Sequence, residues 1–144
     1  MKVYVSTGNS RMEKRWNGGE MELEDFVQRI SRTIRTAETV EQYRKLSKAR
    51  QDSIKDVGGF VMGKLKGGRR KKDCVVFRSA LTLDMDHAEA DIPERMEMFF
   101  DFRCLIYSTH KHTPESPRFR LVVPLSRNVS PDEYAAVARK VAED

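Results

Sequence analysis

In Ala80-Leu-Thr-Leu-Asp-Met-Asp86, apolar and polar side chains alternate from Leu81 to Asp86. A period of two belongs to an extended strand, so Leu81, Leu83 and Met85 face one way and Thr82, Asp84 and Asp86 the other. Such a strand needs a sheet beside it and a layer over its apolar face. The surrounding sequence supplies both. The longer run CVVFRSALTLDMD, from Cys74 to Asp86, reads as one or two strands, and RCLIYSTH (residues 103–110) and RFRLVVPL (118–125) read as two more. Asp91-Ile-Pro-Glu94 opens a helix, with Asp91 as N-cap and Ile92, Met96, Phe99 and Phe100 on its core face. Ser130-Pro-Asp-Glu133 opens another that runs to the end of the sequence. Strands that alternate with helices define an α+β (α/β) class, a mainly antiparallel or mixed sheet with flanking helices.

The first half is less regular. Lys2–Ser6 alternates like a strand, and Thr7-Gly-Asn-Ser10 reads as a turn. Leu23, Phe26, Val27 and Ile30 fall at helical spacing. A second helix is expected over 37–54, with Thr36 as N-cap and Val40, Tyr43 and Leu46 as its apolar positions. Gly58, Gly59, Gly63, Gly67 and Gly68 exclude a helix in DVGGFVMGKLKGG and leave short extended pieces. A length of 144 residues fits one domain, with a helical and Gly/basic-loop region (1–73) and a motif-bearing sheet region (74–144). No run approaches a membrane span and no apolar leader opens the chain, so no membrane partner and a cytoplasmic location are expected. Cys74 and Cys104 lie in apolar runs without C-x-x-C spacing, which reads as reduced core thiols rather than a zinc site.

The net charge of +5 favours an anionic partner. Lys64, Lys66, Arg69, Arg70, Lys71 and Lys72 concentrate it in the Gly-containing stretch KLKGGRRKKD, suited to sequence-independent, salt-sensitive contact with a nucleic-acid backbone.

Asp84 and Asp86 put two like charges on one strand face, an arrangement that favours a cation between them. Hard oxygen ligands point to Mg²⁺ or Mn²⁺, whose shell phosphates complete. The same parity groups Ile106, Ser108 and His110, giving a hydroxyl and an imidazole able to contact a phosphate oxygen. Arg118 and Arg120 alternate with Phe119 and Leu121 and present two guanidinium groups suited to bidentate phosphate contact. The short connection between the last two strands favours antiparallel neighbours. On this reading Asp84, Asp86, Ser108, His110, Arg118 and Arg120 form one polar floor for a nucleoside triphosphate.

LTLDMDHA followed by YSTHKHTPESPRFRLVVPLSR resembles the primase-polymerase domain of the archaeo-eukaryotic primase superfamily. The resemblance is to the domains at the N-termini of phage and plasmid replication proteins that often precede a virulence-associated-E-like helicase. The start VYVSTGNSR and the stretch DVGGFVMGKLKGGRRKKD are similar to the same group. The resemblance implies an RRM-like catalytic core and a DNA-replication nucleotidyltransferase in a bacterial host cell. It implies that Asp84 and Asp86 hold catalytic metals and that Ser108 and His110 contact the incoming nucleotide. Nucleoside triphosphates, single-stranded or template DNA and a downstream helicase domain are the partners it implies. The family also uses a third acid on a later strand. The acids after His110 (Glu115, Asp132, Glu133, Glu143 and Asp144) follow no suitable apolar strand, so the chain departs from the pattern there and reads as an incomplete core. A non-catalytic nucleotide- or nucleic-acid-binding module is the alternative. A nuclease built on His110 and His112 is a third reading, set against by Lys111 between them and by a Tyr134 at no diagnostic spacing.

Overall fold

The computed structural model describes residues 1–143. Three antiparallel strands form the first sheet in the order β2-β1-β3, from β1 (Lys2–Gly8), β2 (Asn17–Glu22) and β3 (Gly59–Val61). Helices α1 (Leu23–Ile30), α2 (Val40–Lys45) and α3 (Lys48–Ile54) lie between β2 and β3 in the chain. The second sheet has the order β4-β5-β7-β6, from β4 (Gly63–Leu65), β5 (Val75–Met85), β6 (Leu105–Ser108) and β7 (Phe119–Val129), every pair antiparallel. Helix α4 (Ile92–Phe99) joins β5 to β6, and α5 (Pro131–Glu143) follows β7. The chain is therefore an α+β protein, and its β5-α4-β6-β7-α5 segment has the βαββα connectivity of ferredoxin-like units.

The second sheet is covered on both faces. Leu81, Leu83 and Met85 of β5 and Leu121 and Val123 of β7 pack with Met96 of α4 and Tyr134, Ala138 and Val141 of α5. Ala80 and Val122, pointing the other way, join Val3, Val5, Leu23, Phe26 and Met62 from the first half. The sheets are also tied by polar bonds. The Ser79 hydroxyl donates to the Tyr4 carbonyl at 2.8 Å and accepts from its N–H at 3.2 Å, and the Ser6 hydroxyl donates to the Gly63 carbonyl at 2.7 Å.

Several expectations about elements need correction. The helix expected over 37–54 is two helices, because Leu46 is extended (φ −74°, ψ 155°) and Ser47 starts a new turn by accepting from the Arg50 N–H. The first cap is Thr39, whose hydroxyl and Gln42 form a reciprocal capping box; Thr36 lies outside the helix. β5 is one strand from Val75 to Met85. β2 was not anticipated, since Asn17-Gly-Gly-Glu carries little strand propensity and β1 imposes its pairing. Asp91 precedes α4 without a side-chain cap bond, and Phe99 is 69% exposed rather than in the core. Ser130 and Glu133 do form the expected cap of α5, each side chain accepting from the other's backbone N–H. Both cysteines are half-buried free thiols. Among the described residues no helix is long and apolar enough to cross a membrane.

Candidate functional site

The geometry of the second sheet sets the acids against the arginines. β5 and β7 place Asp84 directly opposite Arg120, so the two side chains share a face. Arg120 Nε donates to Asp84 Oδ1, and Nη2 lies 3.3 Å from Oδ2. Just beyond the paired register, Arg118 Nη1 donates to Asp86 Oδ1 at 3.1 Å. Each carboxylate thus has its own guanidinium partner, on the face opposite α4 and α5.

Tyr107 extends this row. It lies opposite Arg120 across the β6–β7 pair, so its ring stands beside the guanidinium on the same face. Burial works against the charge of Arg120, yet its hydrogen bonds to Asp84 and its electrostatic interaction with Tyr107 outweigh this and raise its pKa. Burial also pushes the Tyr107 phenol up. Sequence parity alone passes over Tyr107; its face opposite to that of Ser108 is legible, but its partner across the sheet is not.

The cross-strand register corrects one part of the expected floor. Ser108 lies opposite Phe119, and Ile106 opposite Leu121, so both stand on the α4/α5 face and not with Asp84. Parity within each strand holds; which parity of β6 meets which parity of β7 is fixed by pairing. His110 also departs from expectation, because β6 ends at Ser108. The chain then turns, with Thr109 N–H donating to the Arg118 carbonyl and His112 N–H to the Thr109 carbonyl. His110 is exposed, stacks at 4.8 Å on Tyr43 of α2, and its Nε2 lies 3.4 Å from Thr36 Oγ1.

The two histidines have separate duties. His112 Nδ1 accepts from the Arg118 N–H at 3.1 Å and its ring meets Phe119, which fixes the backbone that carries Arg118. The Tyr134 hydroxyl bonds the Thr82 N–H and carbonyl, each at 3.2 Å, and Arg78 lies over its ring. Tyr134 is therefore engaged with the backbone of β5.

The donor set suits a hard divalent cation with a partial protein shell. Two carboxylates on one strand end could hold Mg²⁺ or Mn²⁺, leaving positions for water and phosphate oxygens. Among the described residues no group of three or more His, Cys, Asp or Glu converges here. The arginines compete for the same oxygens. Their pairs are half in solvent, with Asp84 and Asp86 side chains 56% and 59% exposed, so each contributes only about 0.2–1 kcal/mol.

A second cationic region lies on the first half. Lys64 is on β4, and Lys66, Arg69, Arg70, Lys71 and Lys72 follow on the adjoining turns, all exposed. The loop after β1 is clamped to it: Trp16 N–H donates to the Gly68 carbonyl at 2.8 Å, and Arg70 lies 4.8 Å over the Trp16 ring while donating to the Arg11 carbonyl. Gly68 has φ +67°, and a Cβ there would sit 2.5 Å from the Trp16 carbonyl oxygen, so glycine is needed for this approach. The clamp brings exposed Arg11, Lys14 and Arg15 beside the basic turns. About fifty residues of separation hide that addition from the sequence.

An α+β domain with an acid–arginine strand face and a basic loop pair defines a domain equipped for anionic ligands. The profile of the VapE N-terminal domain family matches residues 1–144, and the chain belongs to that family. It is thereby an N-terminal domain of the VapE-like phage and plasmid replication type. Searches of curated proteins and of solved structures returned no match.

Proposed function

We propose that this domain is a primase-polymerase-type nucleotidyltransferase module of a replication protein, working on a DNA template in the host cytoplasm. The observation that carries the reading is the strand end at which Asp84 faces Arg120 in register and Asp86 meets Arg118 just beyond it. Asp84 and Asp86 are the residues that would hold Mg²⁺ or Mn²⁺. Such an ion supplies Lewis-acid stabilisation of charge on phosphoryl oxygens and favours an ionised attacking hydroxyl. Arg118 and Arg120 bind the β- and γ-phosphates of a nucleoside triphosphate, and His110 approaches the same phosphates from the turn after β6. The attacking 3′-hydroxyl loses its proton to water and bonds to the α-phosphorus, while the bond to the leaving pyrophosphate breaks and its electron pair departs on the pyrophosphate oxygen. The pair Lys64–Lys72 and Arg11–Arg15 guides the template strand, with a helicase domain as the natural neighbour in the replication protein.

Calorimetric titration with Mn²⁺ tests the site: binding is weak in the wild type, and Asp84→Asn abolishes it. Unchanged metal affinity in that variant removes Asp84 from the reading. Nucleotide incorporation on single-stranded DNA with Mn²⁺ tests the chemistry.

The second reading, a binding module without turnover, is favoured by the two-carboxylate donor set. It expects nucleotide or DNA binding to persist in Asp84→Ala/Asp86→Ala and no incorporation by the wild type.

A further inference from the structure

We infer that Arg118 and Arg120 are internal counter-ions that occupy the carboxylates of Asp86 and Asp84 and leave them only when a polyphosphate binds. The inference rests on the metal and triphosphate reading above and adds to it a coupling between the two ligands. Arg120 stands directly opposite Asp84 in register, and Arg118 bonds Asp86 one pleat further on. The oxygens that a divalent cation needs are therefore already engaged, and two positive charges stand where that cation would come.

Guanidinium groups recognise carboxylate and phosphate with the same forked geometry. An arginine turned to a phosphate cannot keep its full hold on the aspartate. The exchange needs only side-chain rotation, because Arg120 sits on a paired strand, the Arg118 backbone is bonded to His112 and Thr109, and both carboxylates are more than half exposed. The two pairs are unequal. Arg120 has two bonds to Asp84, whereas Arg118 has one bond to Asp86. Arg118 therefore leaves first, and Asp86 is the first carboxylate released.

Coupling of this kind is reciprocal: whatever frees the acids favours the cation, and whatever frees the arginines favours the polyphosphate. Two double variants isolate the halves. With Mn²⁺ alone, followed by electron paramagnetic resonance of the free ion, Arg118→Gln/Arg120→Gln binds about tenfold more tightly than the wild type. In EDTA, Asp84→Asn/Asp86→Asn binds ATP about tenfold more tightly than the wild type, because its arginines no longer have carboxylate partners. Arg69→Gln/Lys72→Gln removes the same charge from the basic turns and changes Mn²⁺ affinity by less than roughly twofold through screened, long-range effects. Equal gains in the two charge-removing variants would reduce the effect to net charge and overturn the inference. So would Mn²⁺ affinity that is Asp84-dependent in the wild type but no tighter without the arginines, an outcome that leaves the metal site standing. Absence of Mn²⁺ binding in every protein overturns the metal reading and the inference together. Unchanged ATP binding in Asp84→Asn/Asp86→Asn overturns the exchange from the other side, even if the arginine variant misfolds.

Discussion

Arg120 on paired strand β7 and Arg118 just before it each have a carboxylate, whereas Lys64 at the edge of β4 and Lys66, Arg69, Lys71 and Lys72 on the turns that follow form no ion pair among the described residues. Both regions are cationic, but only the first has its charge matched in place. A matched, strand-borne arginine can discriminate geometry, since its ligand must replace a specific acid. Uncompensated lysines on a loop respond to charge density and to salt. The difference divides the labour proposed for the domain: one region positions a triphosphate and the other follows a backbone.

The largest effect expected concerns what holds the basic region together. Trp16 is 4% exposed and joins the β1–β2 loop to the basic turns through its backbone N–H and its ring. Trp16→Ala should cost about 3–5 kcal/mol in chemical denaturation, as for other buried aromatic truncations. A loss below about 1 kcal/mol would mean that the loop pair is held by something other than this clamp. Next in size is the salt test. Replacing Arg69, Arg70, Lys71 and Lys72 with Ala should lower the slope of log K against log salt for single-stranded DNA by about 0.7 for each phosphate that is no longer neutralised. An unchanged slope would make these turns a solvated surface and erase the contrast with the arginine face.

His110→Ala sharpens the comparison from the other side. Its effect should fall on the triphosphate and not on the nucleoside, weakening the former by roughly 1.5–3 kcal/mol through removal of a charge-assisted hydrogen bond. Equal weakening of both ligands would place His110 with the base or sugar, or reduce it to packing on Tyr43.

Much of the second half is legible in the sequence because its periods are clean. Leu81, Leu83 and Met85 face the helices as their parity requires, and Ser130 and Glu133 cap α5 as their spacing requires. The α+β class and the VapE-type family follow from the same residues. Ser108 shows where such reasoning stops: parity assigns it a face within β6, but only the pairing of Tyr107 with Arg120 says which face of the sheet that is. His110 shows a second limit, since a position just beyond a strand end no longer obeys the alternation that placed it. The direct pairing of acids with arginines is also invisible locally, because it joins residues 32 and 36 positions apart through a register that no local pattern encodes. β2 escapes for a simpler reason, its two glycines.

The smallest effect expected involves a third arginine–carboxylate pair, which serves as a reference for the other two because it caps a helix. Arg127 Nη2 lies 2.7 Å from Glu133 Oε1, and Glu133 Oε2 accepts from the Ser130 N–H at 2.8 Å. The Arg127 bond, then the Ser130 backbone bond, lower the Glu133 pKa from 4.5 to about 2. A depressed folded-state value means that the carboxylate stabilises the cap at any pH above its unfolded value. That contribution fades as pH falls from about 4.5 through about 2. Carboxyl-detected NMR should therefore place the Glu133 midpoint well below those of ordinary glutamates, and Arg127→Gln should move it up towards 4.5. Both groups are largely exposed, so the change should appear in the titration and in fraying of the first turn of α5 rather than in global unfolding. A Glu133 midpoint at the ordinary value in the wild type would mean that solvent dissolves such pairs. The Asp84–Arg120 and Asp86–Arg118 pairs, similarly open on their acidic side, would then hold their carboxylates no more firmly, and the contrast between matched and unmatched cations would have no basis.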